Sequence, residues 1–287
     1  MIKLFPVVEF YITNVCNLEC RGCNRFNDEK FKGHQLWDDY AEEIEQWATR
    51  LEIPRMTIIG GEPTLNPDLE KWAVNLRRLW PDAVIMIQTN GTYQRPEYLK
   101  FWEKYRVGFG LSLHDPETAE ELKEKWEHYA GPHEAYVFHQ STIIKQKDHW
   151  LVHSSDREKA FNCCDMKHDH TIHRGKLYKC PAMSGLAEFQ SQFDLRLNSR
   201  QQQLLDSYQP LSPDCTEQEL ENFVNTKDQS IPQCEFCPEN LVWTTALGEY
   251  KTNLPSPIID ITPINENDLD KFKKRDPINF PEDHIDK

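Results

Sequence analysis

Val7-Val8-Glu9-Phe10-Tyr11-Ile12-Thr13 is a β-rich run, and after Asn14-Val15 the segment Cys16-Asn17-Leu18-Glu19-Cys20-Arg21-Gly22-Cys23 places three cysteines on one loop. This stretch decides the fold, because the same order, a strand followed by a chemically loaded exit, recurs downstream. Arg55 to Ile59 reads as a strand closed by Gly60-Gly61-Glu62-Pro63. Ala83 to Thr89 reads as the next and stops at Asn90-Gly91; Val107 to Leu113 follows. Between them the apolar spacing is helical. Leu36, Tyr40, Ile44, Trp47 and Leu51 make one stripe, and Leu69, Trp72, Leu76 and Leu79 make a second, with Pro67 suited to its first turn. Pro96 opens a helix carrying Leu99 and Trp102, Leu122 and Trp126 mark a fourth, and Tyr136–Phe138 and Thr142–Ile144 look like further strands. Strand and helix alternating at this pitch predict βαβ units, a parallel sheet and a site along the strand ends.

Composition removes whole classes. Hydrophobic residues at 38% and charged residues at 28% support a globular core. No apolar run reaches the roughly 18 residues of a membrane helix. Met1-Ile2-Lys3-Leu4 leads straight to Pro6 and a strand, so no signal peptide is expected, and the expected location is cytoplasmic. With 33 basic against 47 acidic residues, the net charge of −14 disfavours nucleic acid as a partner. Nine cysteines in such a chain read as metal ligands or redox groups rather than a disulfide framework.

From Cys163 the texture changes. Thr171 to Lys179 reads as a hairpin around Arg174-Gly175 that delivers Cys180-Pro181. Short helices are expected over Arg200 to Tyr208 and Glu217 to Asn225, and Pro232 to Pro238 forms a knuckle with Cys234 and Cys237. The stretch from 251 to 287, rich in Pro and charge, reads as a strap or tail.

Three thiolates on one loop leave a coordination position open, as a catalytic centre requires; a zinc knuckle completed by a distant ligand is the alternative. The segment Cys16-x-x-x-Cys20-x-x-Cys23 resembles the cluster loop of the radical S-adenosylmethionine (radical SAM) superfamily. That resemblance implies a [4Fe–4S] cluster on Cys16, Cys20 and Cys23, with S-adenosylmethionine on the remaining iron. It implies reductive cleavage to a 5′-deoxyadenosyl radical that abstracts hydrogen from a substrate. Gly60-Gly61-Glu62-Pro63 looks like the family's motif for the methionine amino group. Gln88-Thr89-Asn90-Gly91-Thr92 resembles its "TNG" segment. Leu111-Ser112-Leu113-His114-Asp115 resembles its "SxD" segment, in which Ser112 approaches the cofactor. Gly22 departs from the aromatic residue often found before the third cysteine. Arg21, Arg25, Lys30 and Lys32, set among Glu19, Asp28 and Glu29, read as a solvated loop of mixed charge; the sharper reading is a basic patch where a flavodoxin- or ferredoxin-type electron donor docks.

The second cysteine group, Cys163 or the better-spaced Cys164 followed by Cys180, Cys234 and Cys237, suits zinc on its own. Beside the first motif it resembles the twitch auxiliary-cluster domain, a short relative of SPASM, and implies one further [4Fe–4S] cluster on Cys164, Cys180, Cys234 and Cys237. The family then implies an α/β fold with a partial (β/α)6 TIM-like barrel over residues 1–160. A small auxiliary-cluster domain over 161–250 and the tail over 251–287 complete it. Cys215 is left without a role, and His168, His170 and His173 are expected on a partly exposed connection. The four-cysteine pattern looks most like the aminocyclitol dehydrogenase branch, implying oxidation of a small polar substrate. A maturase acting on a peptide is the alternative within the family, disfavoured because the first strand begins by Val7 with no leader-binding domain before it. A zinc-stabilised, non-enzymatic binding module is the alternative outside it.

Overall fold

The computed structural model describes residues 1–4, 7–18, 20, 23, 25–26, 31–93, 99–112, 120–122, 124–126, 136–139, 154–164, 166–192 and 197–239. Its centre is a seven-stranded sheet. In chain order the strands are β1 (Ile2–Lys3), β2 (Val7–Tyr11), β3 (Leu51–Glu52), β4 (Arg55–Ile59), β5 (Val84–Thr89), β6 (Val107–Ser112), β7 (Tyr136–His139), β8 (Asp169–His173) and β9 (Lys176–Tyr178). The sheet runs β7-β6-β5-β4-β2-β8-β9, while β1 and β3 pair separately. Every pairing is parallel except the β8–β9 hairpin. The expectation of a mixed α/β fold on parallel strands is met.

Helices α1 (Ala41–Arg50), α2 (Leu69–Leu79) and α3 (Leu99–Tyr105) connect parallel neighbours β2, β4, β5 and β6. Their stripes bury Ile44 and Trp47 on α1 and Leu69, Trp72, Ala73 and Leu76 on α2. Glu42 and Glu43 open α1 and Arg77 and Arg78 close α2, each favourable toward the helix dipole. Beneath them one face of the sheet is largely apolar: Val8, Phe10, Met56, Ile58, Ile85, Ile87, Phe109 and Ile172 share one core, with buried His170 a polar residue on the same face of β8. The other face alternates against it, with Arg55, Thr57 and Ile59 only half-buried along β4. Period-two alternation thus gives a dry side under the helices and a polar side.

Four buried tryptophans pin loops to this core. Their indole N–H groups donate to backbone carbonyls: Trp47 to Gly175 at 2.8 Å, Trp72 to Gln35 at 3.0 Å, Trp80 to Leu51 at 2.9 Å and Trp126 to Gly91 at 2.9 Å.

The later elements are α4 (Arg157–Cys163), α5 (Pro181–Gln192), α6 (Ser199–Asp206) and α7 (Glu217–Thr226), followed by a 3-10 turn over Pro232–Phe236. The hairpin falls where the sequence places it, but β8 pairs with β2, so it extends the sheet of the first half. Helix α5 has no sequence signature, because residues on several faces are buried, from Pro181 to Leu186 and Glu188, and no single stripe emerges. Helix α4 is short and relies on Asp156, whose side chain accepts from the backbone N–H of Glu158 and Lys159. The readings at Thr142–Ile144 and 251–287 lie outside the described residues. Among the described residues no helix is long and apolar enough to cross a membrane.

The hairpin turn holds Arg174 at φ 47° and Gly175 at φ 70°, the pair of left-handed residues a two-residue turn requires. A Cβ at Gly175 would also stand 2.7 Å from Glu43 Cβ. Replacing Gly175 by Ala should cost about 1–2 kcal/mol in urea unfolding, with a lower midpoint and an unchanged slope. A midpoint equal to that of the parent chain would refute this account of the turn.

Candidate active site

The site is assembled where β2, β4 and β5 end. Past Tyr11 the chain keeps pairing with the exit of β4: Gly61 N–H donates to Thr13 O at 2.7 Å and Glu62 N–H to Val15 O at 2.8 Å. Only glycine permits this at position 60, where a Cβ would lie 2.5 Å from Thr13 O. The Gly60-Gly61 pair therefore serves the close approach of two chain segments, and Cys16 emerges next to it.

Glu62 then turns its side chain away from water. It is 0% exposed, and its Oε1 accepts from Thr64 N (3.1 Å), Thr64 Oγ1 (2.6 Å) and Thr89 Oγ1 (2.6 Å), while Oε2 accepts from Asn90 N (2.8 Å). Burial pushes the Glu62 carboxyl above its ordinary range, against the pull of these donors. Pro63, buried, opens the one-turn 3-10 segment that carries Thr64. Asn90 continues the chain of contacts. Its Nδ2 donates to Asn17 Oδ1 at 2.9 Å and lies 4.0 Å from Cys16 Sγ, and its Oδ1 accepts from Thr92 Oγ1 at 2.6 Å. Asn17 Nδ2 donates to Thr92 Oγ1 at 2.7 Å and closes the ring. One continuous network thus joins Cys16 and Asn17, Glu62, and Asn90 with Thr92.

Ser112 ends β6 outside that network. Its hydroxyl accepts from Gln88 Nε2 at 2.5 Å, and Gly110 leaves the space in which the Gln88 amide lies. His114 and Asp115 lie outside the described residues, as do Arg21 and Lys30.

All nine cysteines are free of disulfides. Cys16 has its thiol pushed up to about 12 by burial, with the charges of Glu62 and Cys23 adding to the effect. Cys20 is buried and Cys23 half-buried; Cys23 N–H donates to Cys20 O at 3.2 Å.

Arg25 corrects the expected basic patch. It is 4% exposed, its guanidinium is paired with buried Glu9 and sits 5.0 Å from the centroid of the Tyr11 ring, and Nη1 donates to Pro181 O at 3.1 Å. The histidines also depart from expectation: His170 and His173 are buried, and only His168 is exposed, paired with Asp228 at 2.8 Å. His170 and His173 lie on opposite faces of β8, and His168 occupies the turn before it. Burial pushes His170 down to about 4.

The second cysteine group is drawn from the end of α4, the residue before α5 and the 3-10 turn. Cys163 closes α4 and Cys164 caps it, while Cys234 and Cys237 lie at the 3-10 turn against which α4 packs. Ser155 N–H donates to Glu235 O at 3.0 Å, and Cys163 Sγ lies 3.2 Å from Pro238 O and 3.4 Å from Ala160 O. Cys234 is pushed up to about 11 by burial, and the neighbouring Cys180 thiol adds to the rise. Cys215 sits apart, beside Arg50, whose Nη1 donates to its carbonyl at 2.6 Å.

Residues 10–136 match the family model of the Radical SAM superfamily, spanning the cysteine loop and the strand ends just described. These residues form a radical SAM domain. Its relatives include an S-adenosylmethionine-dependent nucleotide dehydratase from Flammeovirga pacifica, 30% identical over 39% of this chain and 39% of that protein. A pre-heme d1 synthase from Dinoroseobacter shibae is 36% identical over 30% of this chain and 21% of that protein. The likeness therefore spans well under half of either curated relative. A solved structure of BtrN in complex with AdoMet and 2-DOIA aligns at a TM-score of 0.48 and 18% identity, over 72% of this chain and 87% of that one.

The radical SAM family implies S-adenosylmethionine and a [4Fe–4S] cluster; the donor set fits both by residue type, while among the described residues no three ligand side chains are already gathered as a metal would hold them. Three soft thiols share one loop, and Cys23 makes ionisation of Cys16 costlier, a penalty that a cationic iron centre removes. Glu62 Oε2 takes one donor where Oε1 takes three, so a lone pair remains for an ammonium group. Sequence reasoning quoted Asn17 and Thr92 within their motifs but missed the bonds that join them, and missed the Arg25–Glu9 pair, since side-chain pairing leaves no spacing pattern.

Glu62→Gln tests the network. Either orientation of the amide sets its NH₂ against a backbone N–H, of Thr64 or of Asn90, so about 1–3 kcal/mol of stability should be lost in urea unfolding. Unchanged stability would show that the carboxylate is not the tie between the strand ends.

Proposed function

We propose that the chain is a radical SAM enzyme that removes a hydrogen atom from a small polar substrate, and that its second cysteine group takes part in a net two-electron oxidation. The observation that carries the reading is the network joining Cys16 and Asn17 to Glu62, Asn90 and Thr92 across three strand ends. Cys16, Cys20 and Cys23 would hold the [4Fe–4S] cluster. Within Gly60-Gly61-Glu62-Pro63, half-buried Gly61 would meet the methionine ammonium with Glu62 Oε2 behind it, and Asn90 and Ser112 would line the remainder of the pocket. When bound, the reduced cluster and S-adenosylmethionine together supply a 5′-deoxyadenosyl radical by one-electron cleavage of the sulfonium.

The protein's own residues do the rest. Asn17 and Asn90 hold the loop against β5, and the apolar face beneath the helices keeps the strand ends rigid. On the opposite face, half-buried Thr57, Gln88 and Ser112 offer hydroxyl and amide groups suited to a hydroxylated substrate. At a substrate carbinol the carbon gives its hydrogen atom to the 5′ carbon. An oxidised [4Fe–4S] cluster held by the second cysteine group would supply the acceptor for the remaining electron, with the hydroxyl proton passing to solvent.

In that group we assign Cys164, Cys180, Cys234 and Cys237 as ligands of an auxiliary [4Fe–4S] cluster within a unit of residues 161–250. The contacts of the Cys163 thiol with two carbonyl oxygens favour Cys164, because a thiolate would be repelled there. A flavodoxin- or ferredoxin-type donor in the cytoplasm supplies the first electron, and nine cysteines free of disulfides suit that reducing compartment.

Anaerobic reconstitution with iron and sulfide should give brown protein that forms 5′-deoxyadenosine under dithionite, and Cys16→Ala, Cys20→Ala and Cys23→Ala should each abolish it. Colourless, zinc-loaded protein under these conditions would sink the reading. Cys180→Ala or Cys237→Ala should leave cofactor cleavage measurable and eliminate oxidised product. A product isomeric with its substrate would overturn the oxidation step alone.

A further inference from the structure

Helix α5 grips the chain that carries Cys16, Cys20 and Cys23 at three points. At the entry, Asn14 Nδ2 donates to Glu188 Oε2 at 2.5 Å. At the exit, Lys32 N–H donates to Gln192 Oε1 at 3.2 Å and Lys32 O accepts from Gln192 Nε2 at 2.9 Å. Between them Arg25 reaches the carbonyl of Pro181, the first residue of α5. Apolar contacts back these anchors: Phe189 stacks on Phe26 at 4.4 Å and meets Phe31 edge-on at 5.9 Å.

Glu188 is itself held firmly. Its Oε1 accepts from His173 Nε2 at 2.6 Å and pairs with the Arg174 guanidinium, and Gln35 Nε2 donates to His173 Nδ1 at 2.7 Å. Both imidazole nitrogens are engaged, so this buried histidine–carboxylate pair is an anchor rather than an acid–base dyad. At its other end α5 begins directly after Cys180, which belongs to the second cysteine group.

We propose that α5 couples the two cysteine groups, with Glu188 and Gln192 as positioning residues that hold the Cys16–Cys23 loop and Cys180 as the far anchor of the helix. This rests on the reading that both groups hold [4Fe–4S] clusters. The physical reason is entropic: ordering an irregular loop costs about 1–2 kcal/mol per residue, and a helix already fixed by its neighbours offsets part of that before metal arrives. A metal centre at Cys180 then steadies the helix and, through it, the first loop.

The test uses the full chain, reconstituted anaerobically. The paramagnetic resonance signal of the reduced protein that changes on adding S-adenosylmethionine marks the first site, and its half-life under an iron chelator is the readout. Glu188→Ala should shorten that half-life about tenfold, the usual effect of losing an outer partner of a metal site. Gln192→Ala should shorten it about threefold through loss of its two exposed hydrogen bonds to Lys32, with the global unfolding midpoint unchanged. Cys180→Ala should shorten it as well, and combining it with either α5 substitution should add nothing beyond the larger single effect.

Parent half-lives in Gln192→Ala and in folded Glu188→Ala would overturn the grip. Effects that multiply in the double variants would overturn the coupling. If Glu188→Ala does not fold, Gln192→Ala alone and combined with Cys180→Ala decides both points. Parent protein that binds iron yet gives no signal responsive to S-adenosylmethionine would instead overturn the functional reading, and the coupling with it.

Discussion

The approach of residue 60 to Thr13 is the contact on which the site depends. A Cβ there would come within 2.5 Å of the Thr13 carbonyl oxygen, so the ends of β2 and β4 can run side by side only without a side chain. Because they do, Gly61 and Glu62 donate to Thr13 and Val15, and the chain reaches Cys16 in a fixed direction. Glu62 then turns into the end of β5, and Asn90 returns to Asn17. Remove the first contact and the later ones lose their register.

Two buried carboxylates near the cysteine loop are handled in opposite ways. Glu62 meets only neutral donors, and burial dominates, raising its pKa. Glu188 is also penalised by burial, but His173 and Arg174 outweigh that penalty and hold it below the ordinary carboxylate range. The charge of Glu62 therefore bears on the neighbouring Cys16 thiol, whose pKa it raises, whereas Glu188 is an anion inside an ionic cluster.

How far the sequence spoke for itself varied with the kind of signal. Strands β4 and β5 were readable because each is an apolar run ended by a glycine or asparagine turn, and α1 and α2 because each buries one stripe. The cysteine spacing and the two strand exits located the site. Helix α5 was invisible, being buried on several sides, and so was its hold on the cysteine loop, since Asn14 and Glu188 stand 174 positions apart. Arg25 was misread for a related reason. A charge in a loop looks solvated until its partner, Glu9 on the preceding strand, is known to face inward. Long-range polar pairing leaves no periodic trace in one sequence.

Trp126 is fully buried, and its indole N–H is bonded to Gly91 O, directly beside Asn90. The indole ring also crowds Gly91, where a Cβ would lie 3.1 Å from Nε1. Its emission is therefore set by the same few atoms that shape the pocket, and iron close to Cys16 would quench it by energy transfer. Among the chain's eight tryptophans, a variant that keeps Trp126 alone would therefore report site loading without any attached dye.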